Sequence, residues 1–188
     1  MPPKVKITKD DIIKTALELV RRNGAGAINA RAIAASLNCS TQPIFSNFQT
    51  MDDLQKETIA AAYELYLGYL KREAECGKHP AYKSYGLAYV RFAKDEKELF
   101  KLLFMRDRSQ EDTSLLSVDF ETSTQMIMQA NGITLEKARL MHMEMWTCVH
   151  GIGVMLATSY LPLEWELISD MMSDVYQGIR ARHLSEGS

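Results

Sequence analysis

No run of apolar residues in this 188-residue sequence approaches the roughly 18 to 20 that a membrane span requires, so no membrane partner is expected. The amino terminus, Met1-Pro2-Pro3-Lys4-Val5-Lys6, lacks the apolar centre of a secretory signal. Cysteine is scarce. Cys39, Cys76 and Cys148 lie far apart without paired spacing, which argues for a reducing compartment and against a zinc site. These absences together predict a soluble, cytoplasmic protein. Alternating strand-like segments, internal repeats and low-complexity stretches are missing too. So are a nucleophile elbow, a phosphate loop and a zinc-protease pattern, and no cofactor is expected. Cys148 and His150 stand two apart on a helix and point to different sides. His142 and His150, about two turns apart, are too distant for a simple two-histidine metal motif. The sequence therefore argues against an enzyme.

What is present is helical period, with 46% apolar and 24% charged residues, an ordinary balance for a soluble globular chain. Thr8-Lys9-Asp10-Asp11 forms a capping-box-like start, followed by the apolar stripe Ile12, Ala16, Leu19, Val20 and a stop at Gly24. Asn29 caps a short helix that turns Ile33, Ala34 and Leu37 inward, and Asn38 suits a left-handed turn. Ser40 is expected to cap the next helix, making Pro43 its third residue, within the first turn where proline is tolerated. Thr50-Met51-Asp52-Asp53 opens a long helix to about Glu75, ended by Gly77-Lys78-His79-Pro80. Further helices are predicted over Ala81–Lys94, Glu96–Met105, Ser114–Ala130, Thr134–Thr158 and Leu163–His183, with Arg106–Thr113 as a polar loop. The fold class is all-α: a three-helix head over 1–50 containing a helix-turn-helix, then a six-helix body over 51–188.

The last two helices point to self-association. The segment Thr134–Thr158 is apolar on almost every face and contains Gly151 and Gly153, each costing roughly 1 kcal/mol relative to alanine in a helix. The final helix carries Ile168, Met171, Met172, Val175 and Ile179 on one stripe. Together with Met155, these residues predict a four-helix interface between two copies, and hence a homodimer.

Charge is unevenly divided. Residues 1–50 hold seven basic and three acidic side chains, a balance of +4 against −2 for the whole chain, so the remainder carries −6. A positive head on a negative body can approach phosphates while the body stays away, although such a balance is often only a solvated face. The segment "NCSTQPIFSNF", residues 38–48, nevertheless contains no charged residue.

Four stretches in order carry a resemblance that covers essentially the whole chain. They are residues 28–40 ("INARAIAASLNCS"), 44–54 ("IFSNFQTMDDL"), 89–104 (with "YVRFA" and "LFKLLF") and 146–151 ("WTCVHG"). They resemble the second helix and turn, the recognition helix, a ligand-domain motif and a Trp-…-His-Gly signature of the TetR (tetracycline repressor) family of transcriptional regulators. The departures fall on DNA contacts. Asn38 replaces a glycine, Phe45 a tyrosine, Asn47 a histidine and Met51 a lysine, so two phosphate contacts are lost and binding should weaken.

The resemblance implies a regulator, most simply a repressor, that binds a palindromic double-stranded DNA operator as a dimer and is released by a small organic effector. The DNA-binding candidates are Lys4, Lys6, Asn29, Arg31, Ser40, Thr41, Gln42, Pro43, Phe45, Ser46 and Asn47. Gln42 can pair with adenine, and Thr41 or Pro43 can meet a thymine methyl group. Arg31 and the Lys4/Lys6 arm are candidates for phosphate or minor-groove contacts, the arm being equally readable as a solvated tail. Effector contacts are expected from Tyr66, Tyr89, Phe104, Phe120, Met126, Met143, Trp146 and His150, residues that taken one by one read equally as plain core. The competing reading is a helical dimeric ligand- or partner-binding protein with a weakened DNA-binding head.

Overall fold

The structure, a computed structural model, describes residues 7–107 and 114–185, with side chains over 7–107 and 119–185. Lys4, Lys6 and most of the predicted 106–113 loop lie outside the described residues. Nine α-helices occupy those residues, with no strand among them: α1 (Lys9–Asn23), α2 (Ala30–Ser36), α3 (Gln42–Asn47), α4 (Met51–Cys76), α5 (Ala81–Asp95), α6 (Lys97–Phe104), α7 (Ser114–Asn131), α8 (Leu135–Ala157) and α9 (Trp165–Ser185). A 3₁₀ turn, Ala25–Ala27, follows α1 and was not foreseen from the sequence.

Local chemistry accounts for most of the helix ends. The Thr8 hydroxyl accepts from the Asp11 amide, and the Asp11 carboxylate accepts in return from the Thr8 amide, a closed capping box. Thr50 and Asp53 repeat the arrangement ahead of α4. Asn29 caps α2 through its Oδ1, which accepts from Ala32 N at 2.9 Å. The α3 cap differs from expectation. Thr41, not Ser40, takes the N-cap position, and it does so with no side-chain bond. Thr41 already has helical backbone angles, and its carbonyl accepts from Ile44 and Phe45. Pro43 is therefore the second helical residue, still within the turn where a missing N–H has no partner to lose.

The chain divides into two compact units. One comprises Met1–Leu67 with Glu96–Arg106, and the other Gly68–Asp95 with Asp107–Ser188. The expected boundary at residue 50 falls at the junction of α3 and α4, whereas the first unit continues along α4 to Leu67 and takes in α6. Its core is built from Ile12, Ala16, Ile33, Ala34, Ile44, Phe48 and Leu54, with Met51 packed at the edge. On α1, Leu17 is buried alongside Ile12, Ala16 and Val20, while Leu19 is only half-buried. α6 also packs against α1. Arg21 binds Glu96 through two hydrogen bonds of 2.8 Å and also pairs with Glu18. The paired carboxylates, Glu96 above all, hold the Arg21 guanidinium well above its ordinary pKa.

In the second unit α8 packs against α5, α7 and α9. The contacts Tyr82–His142 and Tyr89–His150 advance together along both helices, so α5 and α8 run parallel. Gly86 in α5 permits a close approach: a Cβ there would stand 2.5 Å from Met172 Cε of α9. Expectation and structure part company over the self-association residues. Ile168 and Met172 are buried inside the protomer, at 0% and 2% exposure, and offer no surface to a second copy. Ile179 packs on the cluster of Ile127, Ala138 and Met141, and Met155, Met171 and Val175 are half-buried. Nor is α8 enclosed on all sides within the protomer, since Leu140 and Met143 are about half exposed.

Asn38 has a positive φ of 51°, as the turn between α2 and α3 demands. Asn38→Gly should leave stability within a few tenths of a kcal/mol, whereas Asn38→Val should cost about 1–2 kcal/mol because a β-branched side chain is strained there. Urea denaturation of both variants checks this, and equal stabilities for valine and glycine would contradict it.

Candidate nucleic-acid interface and the aromatic cluster of the body

In α3, Ile44 is buried in the head core, and so is Phe48, which closes the helix. At 100° per residue this directs Gln42 and Ser46 to the middle of the outer face, with Pro43 and Asn47 on one flank and Phe45 on the other. Two of these side chains are engaged within the helix: Ser46 Oγ donates to the Gln42 carbonyl at 2.9 Å, and Asn47 Nδ2 donates to the Pro43 carbonyl at 2.7 Å. Gln42 is exposed on the same face. Ser40 is exposed in the turn and Thr41 half-buried beside it.

The neighbouring candidates divide by role. Asn29 is committed to the helix end, since its Nδ2 also donates to the Ala27 carbonyl. Arg31 is exposed on α2 with no ion pair to any described residue. Lys9 is engaged by Glu57 at 2.7 Å, and Arg21 by Glu18 and Glu96. Lys14 and Arg22 line an open surface cleft of about 290 Å³ with Thr15, Glu18, Leu19 and Ser36, a feature no motif announces. Met51, where the resembling family has a phosphate-binding lysine, packs against the head core instead.

The eight expected effector residues fall into two groups. Tyr66 and Phe104 belong to the first unit, where their rings meet edge to face at 5.4 Å and Phe104 also touches Phe100. The other six lie in the second unit. Tyr89 Oη lies 2.8 Å from His150 Nδ1, and Trp146 stacks on the His150 ring at 5.0 Å. Phe120 packs on His142 at 4.4 Å. Met126 is half-buried, while Met143 and Trp146 are 47% and 40% exposed. A further pair was missed from the sequence: Tyr82 Oη stands 2.9 Å from His142 Nδ1, with Tyr176 packed on the Tyr82 ring. Its trace was available in the matched spacing, two tyrosines seven apart and two histidines eight apart, each about two helical turns.

Burial sets the protonation of these pairs. It pushes the Tyr82 and Tyr89 phenols well above their ordinary pKa and lowers His142 to about 4, so each tyrosine faces a neutral imidazole near pH 7. His150 is lowered by the same cause. The unfolded chain, with ordinary histidines near pH 6.5, then binds more protons than the folded one between pH 6.5 and 4. Stability should be unaffected by this group above pH 6.5 and fall as the pH drops towards 4, by on the order of 2 kcal/mol for His142. Thermal melts across that range should show the decline, and His142→Gln should flatten it. Identical pH profiles for the two proteins would refute the assignment.

The sequence matches no protein-family model, and no curated protein matches it. Solved structures do. A TetR-like transcriptional regulator from Rhodococcus sp. RHA1 superimposes with a TM-score of 0.70 over 94% of this chain and 96% of that one, at 13% identity. A transcriptional regulator (TerR/AcrR family) from Aquifex aeolicus VF5 gives a TM-score of 0.57 over 92% of this chain and 98% of that one, also at 13% identity. With nine helices among the described residues, a left-handed turn between α2 and α3, and these two neighbours, the chain has the TetR-like all-α fold.

Proposed function

We propose that the protein is a ligand-responsive transcriptional regulator, a repressor that binds a palindromic DNA operator as a homodimer and is released by a small organic effector. One observation carries the reading. The helix-turn-helix is locally complete, with a capped α2, a left-handed turn at Asn38 and an α3 whose outer face presents Gln42 and Phe45 to solvent, in the fold of two proteins described as transcriptional regulators. A dimer would place two such helices about 34–36 Å apart, one turn of B-DNA, in successive major grooves. Tyr89, Trp146 and His150, together with the Tyr82–His142–Phe120 cluster, combine apolar surface with two polar pairs, the composition an organic effector needs. The effector must favour one of two conformations of the dimer, because equal affinity for both would shift nothing.

The homodimer rests on glycine. In an isolated helix Gly151 and Gly178 are costly, and a Cβ at either position would meet nothing within 4 Å in the protomer. Gly151 shares a face of α8 with Leu140 and Thr147, and Gly178 shares a face of α9 with Leu167 and Met171. These residues replace Ile168 and Met172 as the proposed contact with a second copy. Gly151→Leu and Gly178→Leu should leave helical content unchanged and convert the dimer to a monomer in light-scattering measurements. A persistent dimer in both variants would place the interface elsewhere.

Selection of bound duplexes from a random pool tests DNA reading and yields the operator. Gln42→Ala should then lower discrimination at one base pair about tenfold or more. Arg31→Ala should weaken binding to every duplex and reduce the salt slope by about one unit. Equal effects of both variants on operator and random DNA would count against these roles. A pool that enriches no palindrome at low salt would instead favour the second reading, a dimeric ligand- or partner-binding protein. Phe45 and Met51, neither able to hold a phosphate, motivate that alternative.

A further inference from the structure

The outer face of α3 is chemically unusual for a helix placed to read bases, and its chemistry narrows what it can read. Between residues 38 and 48 there is no arginine or lysine to pair bidentately with guanine, and no aspartate or glutamate to accept from cytosine. The Ser46 hydroxyl and an Asn47 amide hydrogen are donated to carbonyls one turn back. Phe45 is the large apolar side chain of α1–α3 left exposed, at 52%, while Ile44 and Phe48 on either side of it are buried. A single exposed phenylalanine means little on an ordinary surface. Here it has no hydroxyl for a phosphate, so its contact with a duplex must be apolar, and the apolar group of the major groove is the thymine 5-methyl.

We propose that α3 reads A·T base pairs by methyl contact: Phe45 packs on the 5-methyl group of a thymine in each half-site, beside the adenine addressed by Gln42. This rests on the DNA-binding reading above and goes beyond it by naming the base pairs beneath α3 and a second specificity residue. Guanine or cytosine under α3 would meet no charged side chain, the usual reader of either base. Each such methyl contact withdraws about one methyl-sized apolar area from water, which corresponds to about a fourfold change in affinity per half-site.

The experiment uses the full-length protein and its own selected operator. Thymines in the half-sites are replaced one position at a time by deoxyuridine, which removes the methyl group and keeps every hydrogen bond. Wild type should lose about fourfold per half-site at one thymine position. Phe45→Ala should bind the original operator more weakly and be indifferent to deoxyuridine at that position. Phe45→Leu, which keeps an apolar contact, should retain part of the penalty. The double-mutant comparison separates Phe45 from Pro43 and Thr41, whose own methyl contacts would survive in Phe45→Ala. An operator that tolerates deoxyuridine at every position would overturn this inference and leave the regulator reading standing. So would a Phe45→Ala protein that keeps the full penalty. Failure to enrich any duplex would remove both.

Discussion

Everything the head can do depends on one backbone conformation, the left-handed turn at Asn38. A residue with φ of 51° reverses the chain within a few residues of Leu37, so that α3 can lay Ile44 and Phe48 onto the same core as Ile12 and Ile33. Asparagine tolerates that region better than other residues with a side chain, which is why the turn survives without the glycine found in the resembling family. With α3 docked by its apolar side, the orientation of Gln42, Phe45 and Ser46 follows from helical geometry alone. The short helix needs no side-chain cap, because the turn already delivers the Thr41 carbonyl to Ile44 and Phe45.

The charge of the head is more economical than its composition implies. Arg21 and Lys9 are held by glutamates, so they fasten helices together and do not face solvent freely. The Arg21–Glu96 pair joins residues 75 apart in the chain and ties α6 to α1. A bidentate pair of this kind fixes geometry as well as contributing energy. The positive charge remaining among the described head residues is Lys14, Arg22 and Arg31, and Arg31 alone of these stands on the helix preceding the recognition turn. Under the proposed DNA-binding reading, a neutral reading helix flanked by few phosphate-binding groups implies affinity that is modest and only shallowly salt-dependent.

The second unit follows a different rule, the need to satisfy polar groups in an apolar bundle. Tyr82 and Tyr89 reach histidines on α8 from equivalent positions two turns apart on α5. Leaving either hydroxyl unpaired would cost about 1–3 kcal/mol, so each pair is stable only as a pair. Another side of α8 presents Leu140 and the open backbone of Gly151, surface that the protomer itself does not fully cover. One helix thus faces two environments, a satisfied polar seam within and an apolar surface without.

Helix positions and types were legible in the sequence because their causes are local. The caps at Thr8, Asn29 and Thr50, the turn at Asn38 and the break at Gly77–Pro80 involve groups within four residues of one another. What the sequence left open was partnership. An apolar stripe states that it is to be buried but not against what, so the sequence reading puts Ile168 and Met172 at an interface between copies, whereas packing within the protomer makes them core. The Tyr–His pairs, 60 and 61 residues apart, and the attachment of α6 to α1 likewise had no local signal. The sequence by itself determined where helices start, stop and turn, since backbone hydrogen bonding and capping act over a few residues. Tertiary structure alone decided which side chains meet, because that depends on how rigid helices pack once their apolar faces leave water.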